Sequence, residues 1–183
     1  MTPEELNQLF DSAHTSVFRL ERLQTYAVPA DDASLVAFRT GAPRPERSVR
    51  TSAFMRRVAV RTLTAGVAWS RVRLVEWPLT EYTRWELLGY VESQAAGEEI
   101  RLVDARQVEN VVAGEPDFWL FDAGTPDARA VLMHYASDGR LVERELVADP
   151  AEVARLATVK DETVRRSVSL NEFLARLGAG TDA

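Results

Sequence analysis

Apolar residues recur along this chain at two spacings, and the switches between them mark out its elements. Thr2 stands where a helix cap is wanted, Pro3 suits the first helical position and Glu5 completes a capping box, with Leu6, Leu9 and Phe10 as one apolar stripe. The spacing then falls to two in "SVFRLERLQTYAV", which puts Phe18 and Leu20 on one face and Arg19 and Glu21 on the other. Asp31 or Asp32 caps a short helix through Leu35, Val36 and Phe38 that ends at Gly41. "APRPER" is a loop, because its prolines forbid regular structure. Helical spacing returns over 52–65, with Phe54, Met55, Val58 and Leu63 turned inward and Gly66 as the stop.

In "VAWSRVRLVEWP", alternation sets Ala68, Ser70, Val72 and Leu74 against Val67, Trp69, Arg71, Arg73 and Val75. Thr80 caps a helix over 80–95, in which Tyr82, Trp85, Leu88 and Glu92 follow helical spacing and after which Gly97 is the stop. "EIRLVD" is the next strand, and a loop at "VVAGEP" leads to strands at 117–122, 129–135 and 140–147. Asp138-Gly139 joins the last two as a hairpin. Asp149, Pro150 and Glu152 open a long helix, and "SLNE" opens a short one that Gly178 ends.

This order predicts an α+β (mixed α/β) fold with a mixed central sheet of about five or six strands, flanked by helices and ending in helices. One domain is expected over 1–183, with the helical segment 150–178 either packed on the sheet or extended as an interaction arm. There is no cysteine, which removes disulfides, thiolate nucleophiles and cysteine-based metal sites. The start lacks a basic-then-apolar signal, and no run approaches the roughly 20 apolar residues that span a bilayer, so a cytoplasmic, membrane-free protein is expected. A single lysine, Lys160, against 21 arginines suggests a high-GC genome.

The formal charge of −6 is uneven. Arg44, Arg47, Arg50, Arg56, Arg57, Arg61, Arg71 and Arg73 face only Glu46 between residues 44 and 73, which leaves about +7 there and about −13 elsewhere. An acidic chain with one basic patch is a poor general binder of nucleic acid, because its long-range field is repulsive. The patch is expected to be solvated or internally paired, or else to hold a phosphate or an acidic partner.

Two arginines on one strand face must reach solvent, find carboxylates or hold a ligand. Around them lie Trp69, Trp77, Tyr82, Trp85, Tyr90, Phe118, Trp119 and Phe121, which feed a core and could wall a pocket whose polar groups are Arg73, Arg84, Glu86, Asp117 and Asp122. Tyr82 and Glu86 share a helix face and Arg84 points elsewhere. Of the two histidines, His14 and His134, the second lies in "VLMHY", where Asp122 or Asp117 on a neighbouring strand could orient it as a general base. Asp31/Asp32, Glu98/Glu99 and Asp161/Glu162 read as caps and solvated charge. No nucleophile elbow, Walker loop, dinucleotide fingerprint or zinc helix is present, and no spacing specifies a metal or cofactor.

Taken in order, "RVRLVEWPLTEYTRWELLGY", "AGEEIRLVD", "DFWLFDAG" and "RAVLMHYASDGR", followed by "ADPAEVARL", resemble an uncharacterised actinobacterial family. Its pattern runs Arg-Val-Arg-x-Val, Pro-Leu-Ser/Thr-x-Tyr-x-Arg-x-Glu, Asp-Phe-Trp-Leu-Phe-Asp and Met-His-Tyr, and the likeness covers nearly the whole chain. The resemblance implies an actinobacterial origin and a regulatory setting, encoded beside helix-turn-helix regulators and small acidic partner proteins. It implies no activity. The positions that carry over are Arg71, Arg73, Tyr82, Arg84, Glu86, Asp117, Trp119, Asp122, Met133, His134 and Tyr135. Trp85 stands where the family has Phe, and Ala123 where a second Asp is usual, which weakens a metal cluster there. A looser analogy is to phospholipase-D-like sensor domains, whose catalytic signature needs a His with a Lys two residues on. His134 is followed by Tyr135 and Ala136, so that analogy implies a degenerate relative used for binding.

The leading expectation is therefore a non-catalytic binding or regulatory domain for a small anionic ligand or a protein partner such as a transcriptional regulator. Its site would use Arg71, Arg73, Tyr82, Arg84, Glu86, Asp117 and Trp119, with Trp85 as a further wall. The alternatives are a small enzyme with His134 as base oriented by Asp122, and DNA binding through the arginine-rich helix near residues 50–61.

Overall fold

The structure, a computed structural model, describes residues 1–179. Three parallel strands form its centre: β1 (Ser16–Glu21), β2 (Ala68–Val75) and β3 (Glu98–Asp104). An antiparallel meander of β4 (Asp117–Phe121), β5 (Arg129–Tyr135) and β6 (Leu141–Val147) continues from β1. The two-residue β7 (Val168–Ser169) pairs with β3, giving the order β6-β5-β4-β1-β2-β3-β7. The sheet is mixed, as the element order predicts, and β7 is a strand too short to announce itself by alternation.

Most of the helices begin where the sequence announces them. Thr2 makes both halves of its capping box at the start of α1 (Pro3–Ser12). After a 3-10 turn (Pro29–Asp31) comes α2 (Asp32–Thr40), which Asp31 precedes without a side-chain cap. Ser52 caps α3 (Ala53–Ala65), and Thr80 caps α4 (Glu81–Ala95). Asp104 ends β3 and caps α5 (Ala105–Val112), Asp149 caps α6 (Pro150–Arg166) and Ser169 caps α7 (Leu170–Gly178).

Each sheet face buries its own core. Phe18, Leu20, Val72, Leu74, Phe118 and Leu120 meet Val108 and Val112 of α5 and Val153, Leu156 and Val159 of α6. On the other face Val17, Trp69, Trp119 and Phe121 pack on Leu6 and Phe10 of α1 and Val58 of α3. Further along it, Val75, Ile100 and Leu102 pack on Leu87 and Tyr90 of α4 and Leu170 and Phe173 of α7. Each such fully buried side chain contributes about 1.5–3 kcal/mol. The segment 150–178 is thus packed against both sheet faces.

Three expectations need correction. Leu63 is 84% exposed, lying on the solvent side of α3 rather than inward. Leu88 is exposed and Leu87 buried, because α4 is covered on two sides. Tyr82 and Trp85 join one cluster and Leu87 and Tyr90 another, so a single-stripe reading selects the wrong leucine. Helix α5 was not expected at all: eight residues follow β3 without a loop, and only Val108 and Val112 are buried.

Candidate functional site

Between the two apolar clusters on the α4 side, the central strands carry charge. Arg19 pairs in register with Trp119 on one side and Arg71 on the other, and Glu21 pairs with Arg73. Like charges facing each other are unfavourable, but diagonal neighbours lie within reach of long side chains. Glu21 and Glu98 take Arg71 from both sides, its Nη1 donating to Glu21 Oε1 at 2.5 Å and its Nε to Glu98 Oε1 at 3.0 Å. Arg19 donates to Asp117 Oδ2 at 3.0 Å and to the Tyr135 hydroxyl at 3.1 Å. The Tyr26 hydroxyl donates to Asp117 Oδ2 at 2.5 Å and accepts from Arg73 at 3.3 Å. Arg73 Nε lies 2.9 Å from Glu86 Oε2, outside hydrogen-bond alignment.

These groups are deeply buried: Arg73 is 0% exposed, Glu98 2%, Arg19 and Asp117 3% and Glu21 7%. Arg73 Nη2, Arg19 Nη1 and Glu98 Oε2 have no hydrogen-bond partner among the described residues. Aromatic faces cover the guanidinium groups, with Arg19 5.3 Å from the Trp119 ring, Arg73 5.2 Å from Tyr26 and Arg71 5.6 Å from Tyr90.

The two carboxyls at α4 differ sharply. Burial pushes Glu21 up, but Arg71, Arg19, Arg73 and the Tyr90 hydroxyl, which donates at 2.6 Å, together hold it down to about 2. Burial also pushes Glu86 up, and Arg73 offsets too little of this against the Glu21 charge, so Glu86 sits at about 7.

A cavity of about 190 Å³ opens over this network. Glu21, Arg71, Glu86 and Tyr90 line it, with Tyr26, Tyr82, Trp85 and Tyr135 as aromatic walls and Asp31, Ser34 and Arg47 from the covering segments. The cover is fastened to α4 by discrete polar contacts. Trp85 Nε1 donates to Ser34 Oγ at 3.1 Å, Arg39 meets Glu81 at 2.5 Å, Arg44 meets Glu92 at 2.7 Å and Arg47 donates to the Gly89 carbonyl at 2.8 Å. A wider depression of about 570 Å³ lies at the ends of β1, β2 and β3, but its Glu76, Arg106 and Glu109 are exposed and Arg106 is folded back onto Asp104.

Arg71, Arg73, Tyr82, Glu86, Asp117 and Trp119 therefore converge, with Trp85 at the cavity wall. Arg84 does not join them: it is exposed, two residues and so about 200° around the helix from both Tyr82 and Glu86. Nor do His134 and Asp122 meet. Strand β5 runs antiparallel to β4, so His134 lies beside the start of β4, where Asp117 pairs with Met133, while Asp122 follows its far end. Asp117 and Met133 face α1 and α4, and His134 faces the other way, 2.9 Å from Glu145 on β6. Asp122, at φ 50°, accepts from the backbone N–H groups of His14, Thr15 and Ser16 at 3.0, 2.7 and 3.1 Å. Burial raises that carboxyl, yet these donors hold it below its usual range. It also lies 3.2 Å from the ring of His14, so the histidine it contacts is the other one.

Sequence reasoning misses Arg19, Glu21, Tyr26 and Glu98 as site residues, and has Tyr90 only among the aromatic residues that could wall a pocket. Glu98, grouped with Glu99 as solvated charge, shares strand parity with buried Ile100 and Leu102, and that signal was available. The basic patch is internally paired. Beyond the arginines already described, Arg50 meets Glu46 at 2.8 Å, Arg57 meets Asp11 at 2.7 Å, Arg56 donates to the Val49 carbonyl at 3.1 Å and Arg61 to that of Ala13.

Among the described residues, no helix is long and apolar enough to cross a membrane. Residues 4–175 match the model of a family described as Domain of unknown function (DUF6879). No curated protein matches the chain.

Proposed function

Because the chain belongs to this family, whose description assigns no activity, we propose from its site that it is a non-catalytic binding domain for a small polar ligand. The ligand is held in the cavity between the charged strand face and α4. The observation that carries this reading is the cavity's position on a buried charge network, in which Arg71 lines the floor between Glu21 and Glu98 and Arg19 and Arg73 lie behind it. Buried ion pairs are weak contributors to stability compared with apolar residues of the same volume, so such a network is better explained as a preorganised floor than as core.

The charges expected to hold an anion are taken up inside the protein. Arg71 sits between Glu21 and Glu98, and Arg73 beside Glu86. DNA binding by the helix near residues 50–61 would first require Arg56, Arg57 and Arg61 to leave their partners. General-base chemistry at His134 lacks the Asp122 contact it was built on.

Gly89 provides the test. It lines the cavity on α4, and a Cβ added there meets nothing nearer than the flexible Arg47 Nη1 at 3.9 Å. Gly89→Leu should fold, since leucine is the better helix former, and should fill the space. A panel of small amines, carboxylates and phosphates is screened by thermal shift against both chains. Compounds that stabilise the wild type and not Gly89→Leu support the reading. Equal shifts in both chains, or none in either, overturn it.

A further inference from the structure

The cavity's charge inventory goes further than its existence. Resting on the binding reading above, we infer that the ligand is a small organic cation, an amine, received by the carboxylates of Glu86 and Asp31 between tyrosine and tryptophan faces.

Of the two guanidinium groups that line the cavity, Arg71 is fully engaged by carboxylates. Arg71 is held at 2.5 Å by Glu21 and at 2.9 Å by Glu98, and Arg47 rests on the Gly89 carbonyl and the Ser93 hydroxyl. An anion entering here would have to detach Arg71 from two carboxylates and then lie beside Glu21, Glu86 and Asp31. Coulomb repulsion at such distances is only weakly screened in a buried site.

Negative capacity remains open. Glu86 Oε2 is buried and accepts no aligned hydrogen bond among the described residues; Arg73 Nε is 2.9 Å away, and the Arg71 charge and the Tyr90 hydroxyl offset the burial of the carboxyl only in part. Burial leaves Glu86 at about 7, the mark of a carboxyl short of positive partners. Asp31 makes no side-chain cap to α2, and the nearby Arg47 charge only partly offsets the burial that raises its carboxyl. Asp31 precedes α2 and lines the cavity from the covering segment, whereas Glu86 lines it from α4.

The aromatic rings supply the rest. Tyr26 lies 6.1 Å from Tyr82 and 5.1 Å from Tyr135, and Tyr82 lies 5.1 Å from Trp85, forming a continuous band. Ring faces attract a cation, and the attraction grows as water is excluded. About 190 Å³ is room for about six water-sized groups, which fits a short amine and excludes a nucleotide.

The experiment uses the full chain with putrescine, choline and butylamine as cation probes and butyrate and inorganic phosphate as anion probes, at matched ionic strength. Binding is read by calorimetry and thermal shift. At least one cation should bind the wild type, with affinity falling about tenfold or more in Glu86→Gln, as for loss of a charge-assisted contact, and further in the Glu86→Gln/Asp31→Asn double variant. Gly89→Leu should bind none. Cation binding unchanged in the double variant overturns the inference. Anions that bind the wild type and not Gly89→Leu overturn the charge assignment while leaving the cavity reading intact. Silence from every probe overturns both.

Discussion

Replacing Glu86 by glutamine separates the charge of this residue from its shape. In the folded chain its carboxyl holds a proton up to about 7, against 4.5 when unconstrained. Between those values the native state binds more protons than the unfolded state. The associated stability is therefore complete below about 4.5 and is lost as pH rises through 7. At 1.36 kcal/mol per pH unit across that interval, the loss is on the order of 3 kcal/mol. The side chain is 12% exposed, so solvent screening removes little of it. Glutamine has nearly the same volume, can still accept from Arg73 and does not titrate. Urea unfolding of both chains at steps from pH 5 to pH 9 measures the effect as a difference, in which His14 and His134 cancel. The two chains should be of similar stability at pH 5, and Glu86→Gln should become progressively more stable than the wild type toward pH 9. A difference that stays flat would show that ionising Glu86 costs the fold nothing, and one that turns in favour of the wild type at high pH would show that ionised Glu86 is a net stabilising partner of Arg73. The accounting of open negative capacity would then fail with it.

Asp117→Ala removes the acceptor shared by Arg19, Tyr26 and the Arg22 N–H. Leaving Arg19 buried without its main carboxylate should cost about 3–5 kcal/mol in urea unfolding, and a loss under about 1 kcal/mol would contradict the network. Gly139, at φ 82°, packs against the segment carrying Tyr26, and an added Cβ would lie 2.7 Å from the Thr25 carbonyl oxygen. The left-handed backbone alone costs about 1–2 kcal/mol for a non-glycine residue, so Gly139→Ala should lower the thermal midpoint and weaken ligand binding together. His134→Ala should change stability by no more than about 1 kcal/mol and leave binding unaltered, because the His134–Glu145 pair is exposed. A tenfold loss of binding in His134→Ala would restore that residue to the site.

What the sequence reveals most clearly is local. Thr2, Ser52, Thr80, Asp149 and Ser169 each cap the helix that their spacing announces. Alternation likewise places Arg19 and Glu21, and Arg71 and Arg73, on the faces they occupy. The identity of each partner is not local. Glu21 lies 50 residues before Arg71 in the chain and Glu98 lies 27 after it, and only the parallel order β1-β2-β3 brings both to one guanidinium. Parity and register together explain both outcomes for the acids. Glu98 is buried by the same alternation that buries Ile100 and Leu102, whereas Asp122 is separated from His134 because an antiparallel β5 reverses the order of contacts along β4. Period two also shows what the charged rows exclude. A one-residue slip of β2 would turn Arg71 and Arg73 toward Phe18, Leu20 and Leu156, an apolar cluster in which their charge would be costly to bury. The residues that form the floor of the cavity therefore also fix the register of the strands on which it is built.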